Sequence, residues 1–181
     1  MKKVLISIRP EWVAKILNGE KTLEIRKSAP KDLPCEIYIY CTKGKPSISP
    51  FEFYENGRPP HIIGDEINGK VVAKFTLNKV ERLIRRKIWG EYEVYGEHKN
   101  FTEISGKSCV SQAELNDYLR GRNEGYAWEI SDLKIFDRPK ELYELKYSKP
   151  LRYSNGKEGK ILFPVTKAPQ SWQYIETEEN E

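Results

Sequence analysis

Two histidines, three cysteines and a single methionine are all that 181 residues hold of the most versatile metal-binding and redox-active side chains. His61 and His98 have no Cys-x-x-Cys or His-x-x-x-His neighbour of the kind a structural zinc site uses, so no metal and no cofactor are expected. Cys35, Cys41 and Cys109 cannot all pair and form no disulfide framework. The first two lie on the apolar phase of one alternating segment and read as small buried hydrophobes. No apolar run approaches the roughly 20 residues that span a bilayer, which excludes a transmembrane helix. Arg9 ends the short apolar run after Lys2 and Lys3 too early for a signal peptide. The expected setting is soluble and cytoplasmic, with no membrane partner.

Charge and core material are what the chain does hold. Hydrophobic residues make up 38% and four are tryptophans, too much for a disordered chain, and the length suits one domain. Thirty-one bases stand against 27 acids, a net +4, but four of the acids fall in residues 176–181. Without that tail, expected to be disordered, the body carries +8. Residues 1–50 alone hold ten bases and five acids. A basic body points towards polyanionic partners such as nucleic acid, although ordinary solubilising charge accounts for it equally well.

The hydrophobic pattern is mostly that of short strands. Val4, Ile6 and Ile8 alternate, then Pro10 pre-sets a helix whose apolar side is Trp12, Val13, Ile16 and Leu17, with Gly19 as its stop. Lys21–Lys27 and Cys35–Cys41 alternate again. Residues 42–69, rich in proline and glycine, read as a surface insertion, and 81–110 as a second. A strand over Lys70–Val80 should carry Val71, Ala73, Phe75 and Leu77 in one phase. Arg82, Arg85, Arg86 and Lys87 around Leu83 and Ile84 suggest a basic helix. Ser111 and Glu114 form a capping box before Leu115, Tyr118 and Leu119. Strands are expected over Gly125–Ser131 and Leu133–Phe136, and Ser154-Asn155-Gly156 marks a hairpin turn. The fold class is mainly β, or α+β: a small, mostly antiparallel barrel with flanking helices and insertions, one domain over 1–175 followed by the tail. A doubly wound nucleotide fold fits poorly, because no glycine-rich strand–helix turn is present.

Three constellations carry candidate chemistry. On one face of the second strand Thr22, Glu24 and Arg26 project together, with Lys21 at its start. Periodicity alone favours a solvated face there, with exposed ion pairs contributing about 0–1 kcal/mol. Tyr126 and Trp128 share a strand face, either as core or as a stacking wall for a base. The four bases of 82–87 suit either a solvated helix face or a phosphate backbone.

The run Ile8-Arg9-Pro10-Glu11-Trp12 through Gly19-Glu20-Lys21-Thr22-Leu23-Glu24-Ile25-Arg26-Lys27 resembles the opening of an ASCH domain, with its helix, Gly-x-Lys-Thr turn and Glu-x-Arg. Gly69-Lys70-Val71-Val72-Ala73 and Gly125-Tyr126-Ala127-Trp128-Glu129-Ile130 resemble its later strands, so that the likeness covers about residues 3–145. The resemblance implies a PUA-like β-barrel and a cleft between the first helix and the barrel that binds RNA or a modified nucleotide. It places Lys21, Thr22, Glu24 and Arg26 on the cleft motif, with Trp12 and Tyr126 as walls. Lys27 would join Lys21 and Arg26 in neutralising phosphates. Some small bacterial relatives are amidohydrolases with a Lys-x-x-Thr arrangement. Here Glu24 stands where the threonine nucleophile would be, and a carboxylate does not replace an activated hydroxyl in acyl transfer.

Three functions follow as expectations. The first is an RNA- or modified-nucleotide-binding domain. The second is a hydrolase, amidohydrolase or ribonuclease, acting on a modified nucleoside or RNA, with Lys21 and Glu24 as the candidate catalytic pair. The third is a protein-interaction domain whose insertions supply the surface.

Overall fold

A computed structural model describes residues 1–45 and 67–177. Most of the 42–69 insertion, His61 and positions 178–181 of the acidic tail lie outside the described residues. The architecture is a small, mainly β fold built from two principal sheets and one separate hairpin.

The first sheet grows around β1 (Lys2–Ile8), flanked by β3 (Cys35–Cys41) and β11 (Trp172–Ile175). β4 (Val71–Leu77) and β8 (Ser131–Lys140) extend it beyond β3, giving the order β11-β1-β3-β4-β8. β1 and β3 run parallel, whereas every other strand pair in this sheet is antiparallel. The alternation in β1 separates two cores. Val4, Ile6 and Ile8 pair with Ile37, Ile39 and Cys41 and bury on the face that receives α1 (Pro10–Leu17). Leu5 joins Tyr38, Tyr40, Val71 and Ile175 on the other face. Cys35 and Cys41 are fully buried.

The second sheet, β2-β7-β5-β6, is wholly antiparallel and comprises β2 (Leu23–Arg26), β7 (Glu124–Glu129), β5 (Val80–Ile88) and β6 (Glu91–Gly96). One face carries Leu23, Ile25, Ala127, Leu83 and Val94 against α2 (Phe101–Ser108) and α3 (Gln112–Tyr118). Its other face turns Trp128 into the core beneath the first sheet. Both of these helices open with a capping box, Asn100 with Glu103 and Ser111 with Glu114. Gly125 lets β7 close on the end of α3, since a Cβ there would lie 2.7 Å from a Leu119 methyl. The remaining hairpin pairs β9 (Lys146–Arg152) with β10 (Glu158–Pro164).

Two expectations are corrected here. Arg82–Lys87 form no helix but the middle of β5, with Leu83 its inward residue. β7 on one side and β6 on the other supply the ladder bonds that a helix would have made internally. The 81–110 stretch thus adds two strands and α2 to the second sheet and its core. Val71 also leaves the phase of Ala73, Phe75 and Leu77. The register shifts between Val71 and Ala73, turning Val71 to the opposite core while Val72 takes its place.

Candidate functional site

The segment between α1 and β2 sets the site. α1 starts at Pro10, whose missing N–H is one of the helix's unpaired donors in any case. It ends at Asn18, and Gly19 takes φ +76° to turn the chain back. The Lys21 amide then donates to the Lys15 carbonyl, which aims the Lys21 side chain inward. β2 follows at once, so Glu24 and Arg26 share one face with the residues opposite them on β7, Trp128 and Tyr126.

That face is buried rather than solvated. Lys21, Glu24 and Arg26 are 2%, 5% and 7% exposed. Glu24 holds the two cations apart: Oε2 lies 3.3 Å from Lys21 Nζ, and Oε1 accepts from Arg26 Nη2 at 2.9 Å. Lys21 Nζ also donates to the Ser108 carbonyl at the end of α2 (2.7 Å) and lies 5.2 Å from the centre of the Trp12 ring. Arg26 Nη2 donates to the Ser7 carbonyl on β1 at 2.7 Å. The cluster therefore ties α1, α2 and both sheets together. Two buried cations against one carboxylate leave it with a net positive charge. Arg26 Nε and the Ser108 hydroxyl are buried without a protein partner. Burial pushes the Lys21 pKa down from its ordinary 10.5, and Glu24 offsets only part of that effect.

The cluster faces a cavity of about 1540 Å³. Trp12, Lys21, Glu24, Arg26 and Lys27 all line it. Trp12 is half-buried, and the Lys15 ammonium as well as that of Lys21 lies near its ring. Lys27 sits 4.9 Å over the Tyr118 ring. Seven of the lining residues are basic and five acidic, so the whole cavity shares the sign of its buried cluster.

Thr22 and Tyr126 occupy other places. Thr22 precedes β2, is exposed, and serves through its backbone, donating to the Lys107 carbonyl and accepting from the Ile130 amide. Its side chain does not line the cavity, because the strand alternation that groups it with Glu24 begins one residue later. Tyr126 stands opposite Arg26 but packs against the core, its hydroxyl donating to Glu124 at 3.4 Å. Trp128 is fully buried beside Trp172, which rules it out as a stacking wall.

Sequence reasoning missed the far wall. Residues 165–171 close the cavity, held by the Ser7 hydroxyl donating to the Pro169 carbonyl (2.6 Å) and the Ser7 amide donating to the Ser171 carbonyl (3.0 Å). Pro164 and Pro169 were the only local sign of a constrained segment there. Arg9, Tyr118 and Arg122 also reach the cavity. Among the described residues no group of three His, Cys, Asp or Glu side chains is placed to hold a metal, and no helix is long and apolar enough to cross a membrane.

No protein-family model and no curated protein matches the sequence. Solved structures do. The ASCH protein of Zymomonas mobilis superposes with a TM-score of 0.57 at 19% identity, over 97% of this chain and 88% of that one. A serine-to-alanine mutant of the same protein gives 0.57 at 18% identity, over 97% and 89%. A tyrosine-to-phenylalanine mutant gives 0.55 at 19%, over 97% and 91%. The arrangement of strands that encloses the Lys21–Glu24–Arg26 cluster is thus that of an ASCH domain.

Proposed function

We propose that the cavity binds a nucleotide, either a modified nucleoside or a unit of RNA. The observation that carries this reading is the buried Lys21–Glu24–Arg26 cluster, whose excess positive charge faces a cavity of about 1540 Å³. An uncompensated buried cation is costly, and an anionic or carbonyl-bearing ligand supplies what the protein lacks. Arg26 and Lys21 meet phosphate or carbonyl oxygens. Glu24 orients both and can accept from an exocyclic amino group through its remaining lone pairs. Trp12 offers an aromatic surface beside them, and Lys27 adds positive charge. Titration with nucleoside monophosphates and short RNA should give binding that weakens as salt rises, and that Arg26→Met reduces at least tenfold. Affinity equal for wild type and Arg26→Met would remove the proposal.

A second reading, hydrolysis of an acylated nucleoside, draws on one observation: burial lowers the Lys21 pKa, which favours the neutral amine that a general base requires. Lys21 would then take the proton of an attacking water while Glu24 holds the ammonium that forms. Wild-type turnover of an acylated nucleoside, abolished in Lys21→Met, supports it. Intact substrate after prolonged incubation with the wild type rejects it.

A further inference from the structure

The cavity leaves one strongly basic feature unused. β5 and β6 meet at a two-residue turn, Trp89-Gly90, flanked by the paired residues Ile88 and Glu91. Both turn residues have positive φ, +52° at Trp89 and +92° at Gly90, the geometry of a type I′ hairpin. Asparagine, aspartate or glycine normally fills the first of these positions, and a bulky side chain there is strained. The turn therefore does not explain the tryptophan. Packing does not explain it either, because Trp89 is 99% exposed.

The strand leading to it carries charge of one kind. Arg82 is paired with Glu124 at 2.7 Å, but Arg86 and Lys87 have no ion-pair partner among the described residues. Arg85 lies over Tyr92, with its guanidinium carbon 3.7 Å from the ring centre. Its Nε has no acceptor, so a ring rather than a carboxylate holds it. Lys87 stands directly opposite Tyr92. The acids of β6, Glu91 and Glu93, stand opposite Ile88 and Arg86. The Arg85–Lys87–Tyr92 side thus faces no acid in register. These residues line a shallow cavity of about 490 Å³ together with Asn123 and Glu124. Arg122, the residue before, lines the large cavity, so the two depressions flank a single stretch of chain.

We infer that the tip of the β5–β6 hairpin is a second contact for single-stranded RNA, in which Trp89 stacks on a base while Lys87, on the face of the Arg85–Tyr92 pair, meets the phosphates. An exposed ring beside unpaired bases is how single strands are gripped without sequence readout, and a guanidinium laid on an aromatic ring extends the stacking surface. A strand with one nucleotide in the large cavity continues past Arg122 onto the hairpin. This inference builds on the nucleotide reading of that cavity and adds the polymer to it.

The test compares wild type, Trp89→Asn and Trp89→Phe in binding a fluorescein-labelled 12-nucleotide oligouridylate, with uridine monophosphate measured alongside. Asparagine suits the turn better than tryptophan, so the variant should melt no lower than wild type. Its oligonucleotide affinity should fall roughly tenfold to a hundredfold, the scale of one base–aromatic stack. Trp89→Phe should recover most of the loss. Equal oligonucleotide affinity in wild type and Trp89→Asn overturns the inference, and uridine monophosphate binding then shows whether the cavity reading survives. Wild type that binds the monophosphate but not the oligonucleotide also overturns it. So does a Trp89→Asn defect confined to binding vesicles of phosphatidylserine and phosphatidylcholine, or to self-association in sedimentation.

Discussion

Two strands of the same sheet, separated only by β7, carry or adjoin basic residues and treat them in opposite ways. On β2 the charged face is roofed by the first sheet. Lys21, Glu24 and Arg26 are desolvated there and must satisfy one another. On β5, Arg82 pairs with Glu124 in solvent, while Arg86 and Lys87 face water near the tip of the hairpin. Both strands set charged side chains beside an inward apolar residue, Leu83 on β5 and Ile25 on β2. What differs is whether another layer covers the face, and the cover determines whether a charge is a structural element or only a surface one.

The comparison breaks most sharply at Glu24. Glu24→Ala leaves Lys21 and Arg26 buried side by side, and should cost about 3–5 kcal/mol of unfolding free energy in a urea titration. A cost below about 1 kcal/mol would mean that water reaches the cluster and that the two strands are alike. Lys21→Met removes the excess cation instead. It should cost only about 1–2 kcal/mol, chiefly for the donor lost to the Ser108 carbonyl.

A pH series separates the two strands in another way. The folded Lys21 pKa lies below the 10.5 of the unfolded chain, so the unfolded state holds that proton more tightly. Stability of the wild type relative to Lys21→Met should therefore rise with pH, from the folded pKa up to 10.5. Urea midpoints of the two proteins that stay a constant distance apart from neutrality to pH 10 would contradict this. The smallest effect belongs to β5: Glu124→Gln should leave the melting temperature unchanged at physiological salt and alter it slightly, if at all, at low salt.

These differences also mark what could be read from the sequence. β1, α1, β2 and β3 lie where alternation and Pro10 put them, and the Ser111 capping box announces α3. The ASCH likeness was legible because its helix, turn and Glu-x-Arg run are contiguous. β5 was misread because Arg82, Arg85 and Arg86 fall at helical spacing, while the single inward residue Leu83 reveals its role only when α2 and α3 pack on it. Thr22 was grouped with Glu24 by counting alternation back through a turn that precedes the strand. The burial of the cluster could not be read locally. It depends on Ser7, Ser108 and the 165–171 segment, which meet only in the folded chain.

The hydrogen bond from Ser7 to Pro169 has a kinetic side. It joins positions 162 residues apart, and the neighbouring β11 seals the free edge of β1. Closing so long a loop is entropically slow, and topologies rich in such distant pairings fold late. On the ribosome, β1, α1 and β2 emerge long before the wall that will cover Lys21 and Arg26. During that interval these charged side chains stand open to solvent, and their burial waits on the last segment of the fold.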